Sequence, residues 1–168
     1  EDLQLEGYGP GGVAILVEGT TDNRNRTVSE IRHIFTKHGG NLGGAGSVAY
    51  MFKPKGVIAI AAEKATEDKI MEIALEAGAD DIVPEAEGFT VYTTQQAFEA
   101  VREAIQKAGI EPDEAEVKKL ADNTVALEGA KAQQHLKLVE FLDDHEDVQN
   151  VWDNSDISEK EMEAAAAS

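Results

Sequence analysis

Turn and stop signals recur along this chain at short intervals. No apolar run between them approaches the roughly 18–20 residues that a membrane helix needs. The chain must therefore build its core from short strands and short helices. Gly9-Pro10-Gly11-Gly12 separates a strand at Leu3–Tyr8 from Val13–Val17, a continuous apolar run that fits a buried strand. A polar loop covers Thr20–Arg26. Thr27-Val28-Ser29-Glu30 then has the form of a capping box, with Thr27 at N-cap and Glu30 at N3. Val28, Ile31, Ile34 and Phe35 follow on one helical face, and Gly39-Gly40 supplies the stop. After a glycine-rich stretch to Gly46, Val48–Phe52 reads as a strand. Lys53-Pro54-Lys55-Gly56 reads as a turn and Val57–Ala61 as the next strand.

The pattern continues in the second half. Thr66 caps a helix with an acidic first turn (Glu67, Asp68) and an apolar stripe of Ile70, Ile73, Ala74 and Ala77, which Gly78 ends. Asp81–Val83 and Phe89–Tyr92 are short strands around Pro84–Gly88. Thr93 with Gln96 suggests a second capping box, opening a helix lined by Phe98, Val101, Ile105 and Ala108 and closed by Gly109. Residues 114–127 fit a helix by propensity, while Glu116–Leu120 also fits a strand. Ala130–Leu142 is an amphipathic helix on Leu136, Val139 and Leu142, Val148–Trp152 a final strand, and Ser158–Ser168 an acidic, alanine-rich tail expected to fray. This order predicts an α+β fold with two ferredoxin-like α/β domains and mixed or antiparallel sheets, one inserted in the other. Residues 1–60 with 123–168 form the expected outer domain and residues 61–122 the inserted one.

The 168 residues include no cysteine, which removes disulfides, thiolate nucleophiles and Cys-type zinc or iron–sulfur sites. The chain starts at Glu1, as a processed product or a piece of a longer protein would. Thirty-three acidic against 15 basic side chains give a net charge of −18. Its placement is uneven. Residues 1–56 carry six basic side chains (Arg24, Arg26, Arg32, Lys37, Lys53, Lys55) and six acidic ones, so residues 57–168 hold the whole excess. Acidic surface repels phosphates, so any nucleic-acid contact is expected in the first third.

The catalytic inventory is thin. The chain has no G-x-S-x-G, H-E-x-x-H or G-K-[ST] motif. His33 and His38 are five apart, which does not make an i, i+4 metal pair, and His145 among Asp143, Asp144, Glu146 and Asp147 reads as a solvated helix end. No enzyme activity, cofactor or metal is expected. The loop Gly7, Tyr8, Gly9, Pro10, Gly11, Gly12 has the look of a phosphate cradle, but it leads into a strand and not a helix, so a tight turn between paired strands is the better reading. The segment Asp22, Asn23, Arg24, Asn25, Arg26 offers more. Two arginines before a helix start, with the helix amides, can form an anion site; equally, they can pair with Asp22 or Glu30. Arg32, Lys53 and Lys55 extend the basic set, the two lysines serving either as a basic rim or as ordinary turn residues. Phe35, Phe52, Phe98, Phe141 and Trp152 read as core. Tyr8 is either packed or a platform for a base.

Six segments carry a resemblance. Glu6-Gly-Tyr-Gly-Pro-Gly-Gly12, Thr21-Asp-Asn-Arg-Asn-Arg-Thr27, Gly39-Gly-Asn-Leu42, Gly46-Ser-Val-Ala-Tyr50, Leu75-Glu-Ala-Gly-Ala79 and Val148-Gln-Asn-Val-Trp152 resemble the YebC/PmpR family. The resemblance runs through nearly the whole chain. It implies a three-domain protein with a basic helical N-terminal domain, opening on a Gly-His-Ser-Lys-Trp-like motif, followed by two α/β domains. The N-terminal domain is absent from this sequence. It also implies a non-enzymatic regulator of gene expression. Family members are described as probable transcriptional regulators, as translational activators (one for a mitochondrial cytochrome oxidase subunit), or as relieving ribosome stalling on proline-rich stretches. The expected partner is the ribosome or RNA, reached mainly through the missing basic domain, with no membrane partner. The expected location is the cytoplasm, or the mitochondrial matrix for an organellar homologue. Promoter DNA binding is the alternative, and a small-molecule-sensing module the second alternative.

Overall fold

The computed structural model describes residues 1–166. The chain is of mixed α+β class and parts into two compact units: residues 1–52 with 120–168, and residues 53–119. The breaks expected near 60 and 122 thus fall several residues earlier. None of the helices among the described residues is long and apolar enough to cross a membrane.

The first unit opens with β1 (Asp2–Tyr8) and β2 (Ala14–Thr20), an antiparallel hairpin in register from Asp2↔Thr20 to Tyr8↔Ala14. Helix α1 (Arg24–Lys37) and the two-residue β3 (Asn41–Leu42) follow. The unit resumes with β8 (Val125–Leu127), α4 (Gly129–Asp143), β9 (Val148–Asp153), β10 (Ser155–Ile157) and α5 (Glu159–Ala166). The main sheet has the order β3-β1-β2-β9. That is a ferredoxin-like arrangement in which the N-terminal strand β1 fills the place of the third strand. Strand β2 sits centrally, and Val13–Val17 are all at most 1% exposed. Val13, Ile15 and Val17 join Ile31 and Phe35 of α1 and Leu138 and Leu142 of α4 in one core. Ala14 and Leu16 face the other way, onto Val48 and Phe52. A strand buried on both faces needs an unbroken apolar run, which is what the sequence provides.

The second unit contains β4 (Phe52–Ala61), which begins one residue earlier, then α2 (Glu67–Ala77), β5 (Asp81–Glu85), β6 (Gly88–Thr94), α3 (Phe98–Lys107) and β7 (Glu114–Ala121). Its sheet order is β5-β6-β4-β7, the ferredoxin-like order for a βαββαβ chain. Ile58, Ile60 and Val91 meet Ile70 and Ala74 of α2 and Val101 and Ile105 of α3 in its core.

Several local expectations change. Val48–Phe52 is not a strand. Ala49–Met51 form a 3-10 turn, because the buried Glu6 carboxylate accepts the amides of Val48 and Ala49 that a ladder would need. Lys53-Pro54-Lys55-Gly56 is not a turn but the start of β4. Pro54 lies ahead of the β6 pairing, which begins at Lys55↔Thr94, and Gly56 lets Thr93 and Phe98 approach closely. Helix α3 starts at Phe98, with the Thr94 hydroxyl accepting from the Ala97 amide, so Thr93 and Gln96 form no capping box. The ambiguous stretch 114–127 holds β7 and β8. Most of the expected frayed tail is helix α5, whose Glu161 accepts from the Gly129 amide and from Gln133; residues 167–168 lie outside the described residues. Phe141 is not core: it is 44% exposed and stacks on the His38 ring at 4.8 Å.

The irregularity between Glu18 and Gly19, where β2 pairs with β9, gives a direct test. A Cβ on Gly19 would lie 2.0 Å from the Asp147 carbonyl oxygen, whereas one on Gly44 meets nothing within 4 Å. Gly19→Ala should destabilise the first unit by about 2–3 kcal/mol, and Gly44→Ala by less than about 0.5 kcal/mol. Urea unfolding of both variants measures the difference.

Candidate nucleic-acid interface

The site residues expected in a loop lie largely on a helix. Asn23, not Thr27, is the N-cap of α1, and its side chain accepts from the Arg26 amide at 3.1 Å. Arg24, Asn25 and Arg26 therefore occupy the first helical turn. Thr27 is fully buried inside the helix, and its side chain is used differently. The Asn23 amide donates to Thr21 Oγ1, the Thr21 hydroxyl lies 2.7 Å from Thr27 Oγ1, and Thr27 donates to Asp147 Oδ2 at 2.7 Å. Because a carboxylate only accepts, that last contact orients the chain of hydroxyls toward Asp147.

Arg26 closes the same junction. Its guanidinium donates to Asp147 at 2.9 Å and to Asp22 at 3.4 Å, and lies 3.9 Å from Glu30. The Thr27 hydroxyl first, and Arg26 after it, hold the Asp147 carboxyl below its usual range against the opposing effect of burial. Glu30 turns to His145, whose Nε2 is 2.6 Å away. The Asp147 amide donates to His145 Nδ1, so the neutral ring carries its proton on Nε2. Both ring nitrogens of His145 are engaged. The bulk of this cluster is structural: it ties the start of α1 to the turn before β9.

What remains on α1 is a stripe of another kind. Asn25, Ser29, Arg32, His33 and Thr36 are exposed along the outward face, with Arg24 and Lys37 also exposed at its ends. Glu30 is the helix's one carboxylate, and it is occupied by His145 and Arg26. Arg24, Arg32 and Lys37 have no ion-pair partner among the described residues. A first-turn arginine is disfavoured by the helix dipole by up to about 1 kcal/mol. Arg26 is compensated by Asp22 and Asp147; Arg24 is not. His33 and Lys37, which fall within the helix that the sequence predicts but not among the expected contact residues, are also exposed on it. Lys53 is exposed and Lys55 half-buried on β4 of the second unit.

The glycine segments are filled by the protein itself. Gly9 donates to the Val13 carbonyl and Gly12 to that of Gly9, closing the β1–β2 turn. A Cβ on Gly7 would meet Phe35 at 2.8 Å, and one on Gly9 would meet Ile15 at 2.9 Å and His135 at 3.1 Å, so these glycines serve close packing beneath the turn. Tyr8 packs with the Leu16–Phe52 group and donates to the Ser47 carbonyl at 3.4 Å. The second glycine loop turns its amides inward: Gly46, Val48 and Ala49 donate to the Glu6 carboxylate at 2.6, 2.9 and 2.6 Å. The anion in this nest is the chain's own.

Burial alone would raise the Glu6 carboxyl, but the three amides outweigh it and hold it below the ordinary value of 4.5. A depressed carboxyl contributes stability that is fully present above the unfolded value and is lost as pH falls through the folded one. Glu6→Gln should therefore flatten the acid limb of the pH–stability curve below about pH 4.5. Glu6→Ala should cost about 3 kcal/mol near neutral pH, since it takes a charged acceptor from three amides, the buried one of Val48 among them. Thermal melts across pH 3–7, an interval of about four units around the carboxylate range, read both effects.

Comparison with known proteins gives a consistent result. The family described as "TACO1/YebC second and third domain" matches residues 1–155. A "Probable transcriptional regulatory protein" of Acidobacterium capsulatum is 53% identical over 161 residues, covering 96% of this chain and 65% of that protein. One of Acidithiobacillus ferrooxidans is 52% identical over 162 residues, covering 96% and 64%. The crystal structure of a conserved hypothetical protein, Aq1575, from Aquifex aeolicus superposes with a TM-score of 0.80 at 43% identity, covering 95% of this chain and 66% of that one. The chain spans about two thirds of the length of these relatives. On this match, the chain belongs to the TACO1/YebC family and carries its second and third domains.

Proposed function

We propose that this chain is part of a non-enzymatic regulator of gene expression that acts on translation in the cytoplasm, through contact with the ribosome or its RNA. The observation that carries the reading is the stripe on α1. In a chain of net charge −18, Arg24, Arg32 and Lys37 stand exposed on one helix whose lone carboxylate is engaged elsewhere. Phosphate neutralisation by Lys and Arg is the dominant source of affinity for nucleic acid, and Asn25, Ser29 and His33 add hydrogen-bonding groups suited to RNA backbone and 2′-hydroxyls. Arg26 belongs to the fold in this reading, and Asp22 and Asn23 set the helix start.

The names of the bacterial relatives favour a second reading, a DNA-binding transcriptional regulator. The two differ in what they require. Promoter recognition needs base readout and a large ratio of specific to non-specific affinity. Small-molecule sensing through the glycine loops has less support, since Glu6 and the turn's own carbonyls occupy the amides such a ligand would use.

Co-sedimentation with ribosomes at low and moderate salt tests the proposal. The chain should pellet at low salt and release as salt rises, and the triple variant Arg24→Glu, Arg32→Glu, Lys37→Glu should weaken pelleting at least about tenfold with an unchanged melting temperature. Equal pelleting by the variant would remove α1 as the contact. Selective binding of promoter duplex, with no pelleting, would favour the DNA reading.

A further inference from the structure

We propose that the outward face of α2 in the second unit is a docking surface for a basic amphipathic helix of a partner protein. The helix buries Ile70 and Ala74, with Ile73 and Ala77 packed beside them. Along one flank of that buried face stand Met71 and Leu75, one turn apart and 38% and 48% exposed. They are large apolar side chains that the core does not use. Asp68, Glu72 and Glu76 stand at four-residue intervals beside them, with Glu67 a turn before Met71, and all four are exposed. None of these acids has an ion-pair partner among the described residues. Like charges four apart destabilise a helix, and exposed apolar side chains gain nothing from folding. Glu67 and Asp68 suit the start of the helix, as its dipole prefers, but the Glu72–Glu76 pair and the exposed apolar side chains add nothing to the stability of α2 itself.

Both ends of the helix are capped. The Thr66 side chain accepts from the Lys69 amide at one end. At the other, Gly78 takes the left-handed conformation at φ 109°, with Gly78 donating to the Leu75 carbonyl and Ala79 to that of Ala74. The occupant follows from the charges. A row of acids repels phosphates, so nucleic acid does not fit. An apolar ridge beside an acidic ridge complements a helix with leucine-like anchors every three to four residues and lysine or arginine alongside. Methionine suits such a surface, since its flexible thioether adapts to the anchor. The proposal concerns a different unit from α1 and stands independently of the ribosome reading.

The probe is a fluorescein-labelled helical peptide with a leucine stripe flanked by lysines, titrated by anisotropy with the chain at moderate salt. The peptide should bind, while a version with glutamates for the lysines, and a scrambled version lacking the stripe, should not. Leu75→Gln, the double variant Met71→Asp with Leu75→Asp, and the double variant Glu72→Lys with Glu76→Lys should each weaken binding at least about fivefold, the double variants most. Asp144→Lys with Glu146→Lys, two acids of the turn that follows α4 in the first unit, should change it less than about twofold. Circular dichroism confirms that each variant is folded. Equal loss from the α2 and control charge variants, equal binding of the scrambled peptide, or unchanged binding by Leu75→Gln would each overturn the proposal.

Discussion

The first unit depends on strand β2 being buried on both faces. Alternate residues of Val13–Val17 supply the cores on opposite sides of one sheet, and none is more than 1% exposed. Burying each of the Val, Ile and Leu side chains among them contributes about 1.5–3 kcal/mol relative to leaving it in water. That requirement fixes the neighbours. Strand β1 must pair along one edge of β2 and β9 along the other, so the two ends of the chain meet in one sheet although the whole second unit lies between them in sequence. The back face must also be covered. Val48 and Phe52 cover it, held there by the amides that Glu6 gathers.

Charge is arranged around this frame with a division of labour. The arginine that looked most like a ligand, Arg26, is held by Asp147 and joins Thr27 in locking α1 to the turn before β9. That lock orients α1 so that Arg32 and His33 face outward while Ile31 and Phe35 face the core. The second unit follows the opposite policy, with its α2 surface acidic and partly apolar. Under the two proposals, α1 meets phosphate and α2 a basic protein segment.

The sequence was most legible where the deciding chemistry is local. Gly39, Gly78 and Gly109 all adopt positive φ at helix ends, a need that any short window reveals. The apolar run of β2 and the stripes of α2 and α3 were equally plain. Legibility failed where a distant partner decides. Asn23 and Thr27 both have the side chains of an N-cap; the choice is settled by Asp147, 120 residues from Thr27. Val48–Phe52 has the composition of a strand, and only the Glu6 carboxylate, 42 residues before Val48, prevents it. Lys53–Gly56 carries turn residues, yet the approach of Thr93 and Phe98 makes Gly56 a strand glycine. As for the site, the residue types were visible in the sequence, but the partners that hold them were not. Moving the helix start from Thr27 back to Arg24 puts Arg24 and Arg26 on the first turn, where Asp147 ties down Arg26.

Contact between α1 and RNA is the central claim, and site-specific photocross-linking on ribosomes tests it most directly. A photoreactive side chain at Ser29 or Thr36 samples the middle of the stripe without removing a charge, and one at Glu72 samples the acidic face of α2. The account predicts cross-links to ribosomal RNA from Ser29 and Thr36 and none from Glu72. RNA cross-links from Glu72 with none from either α1 position would contradict it.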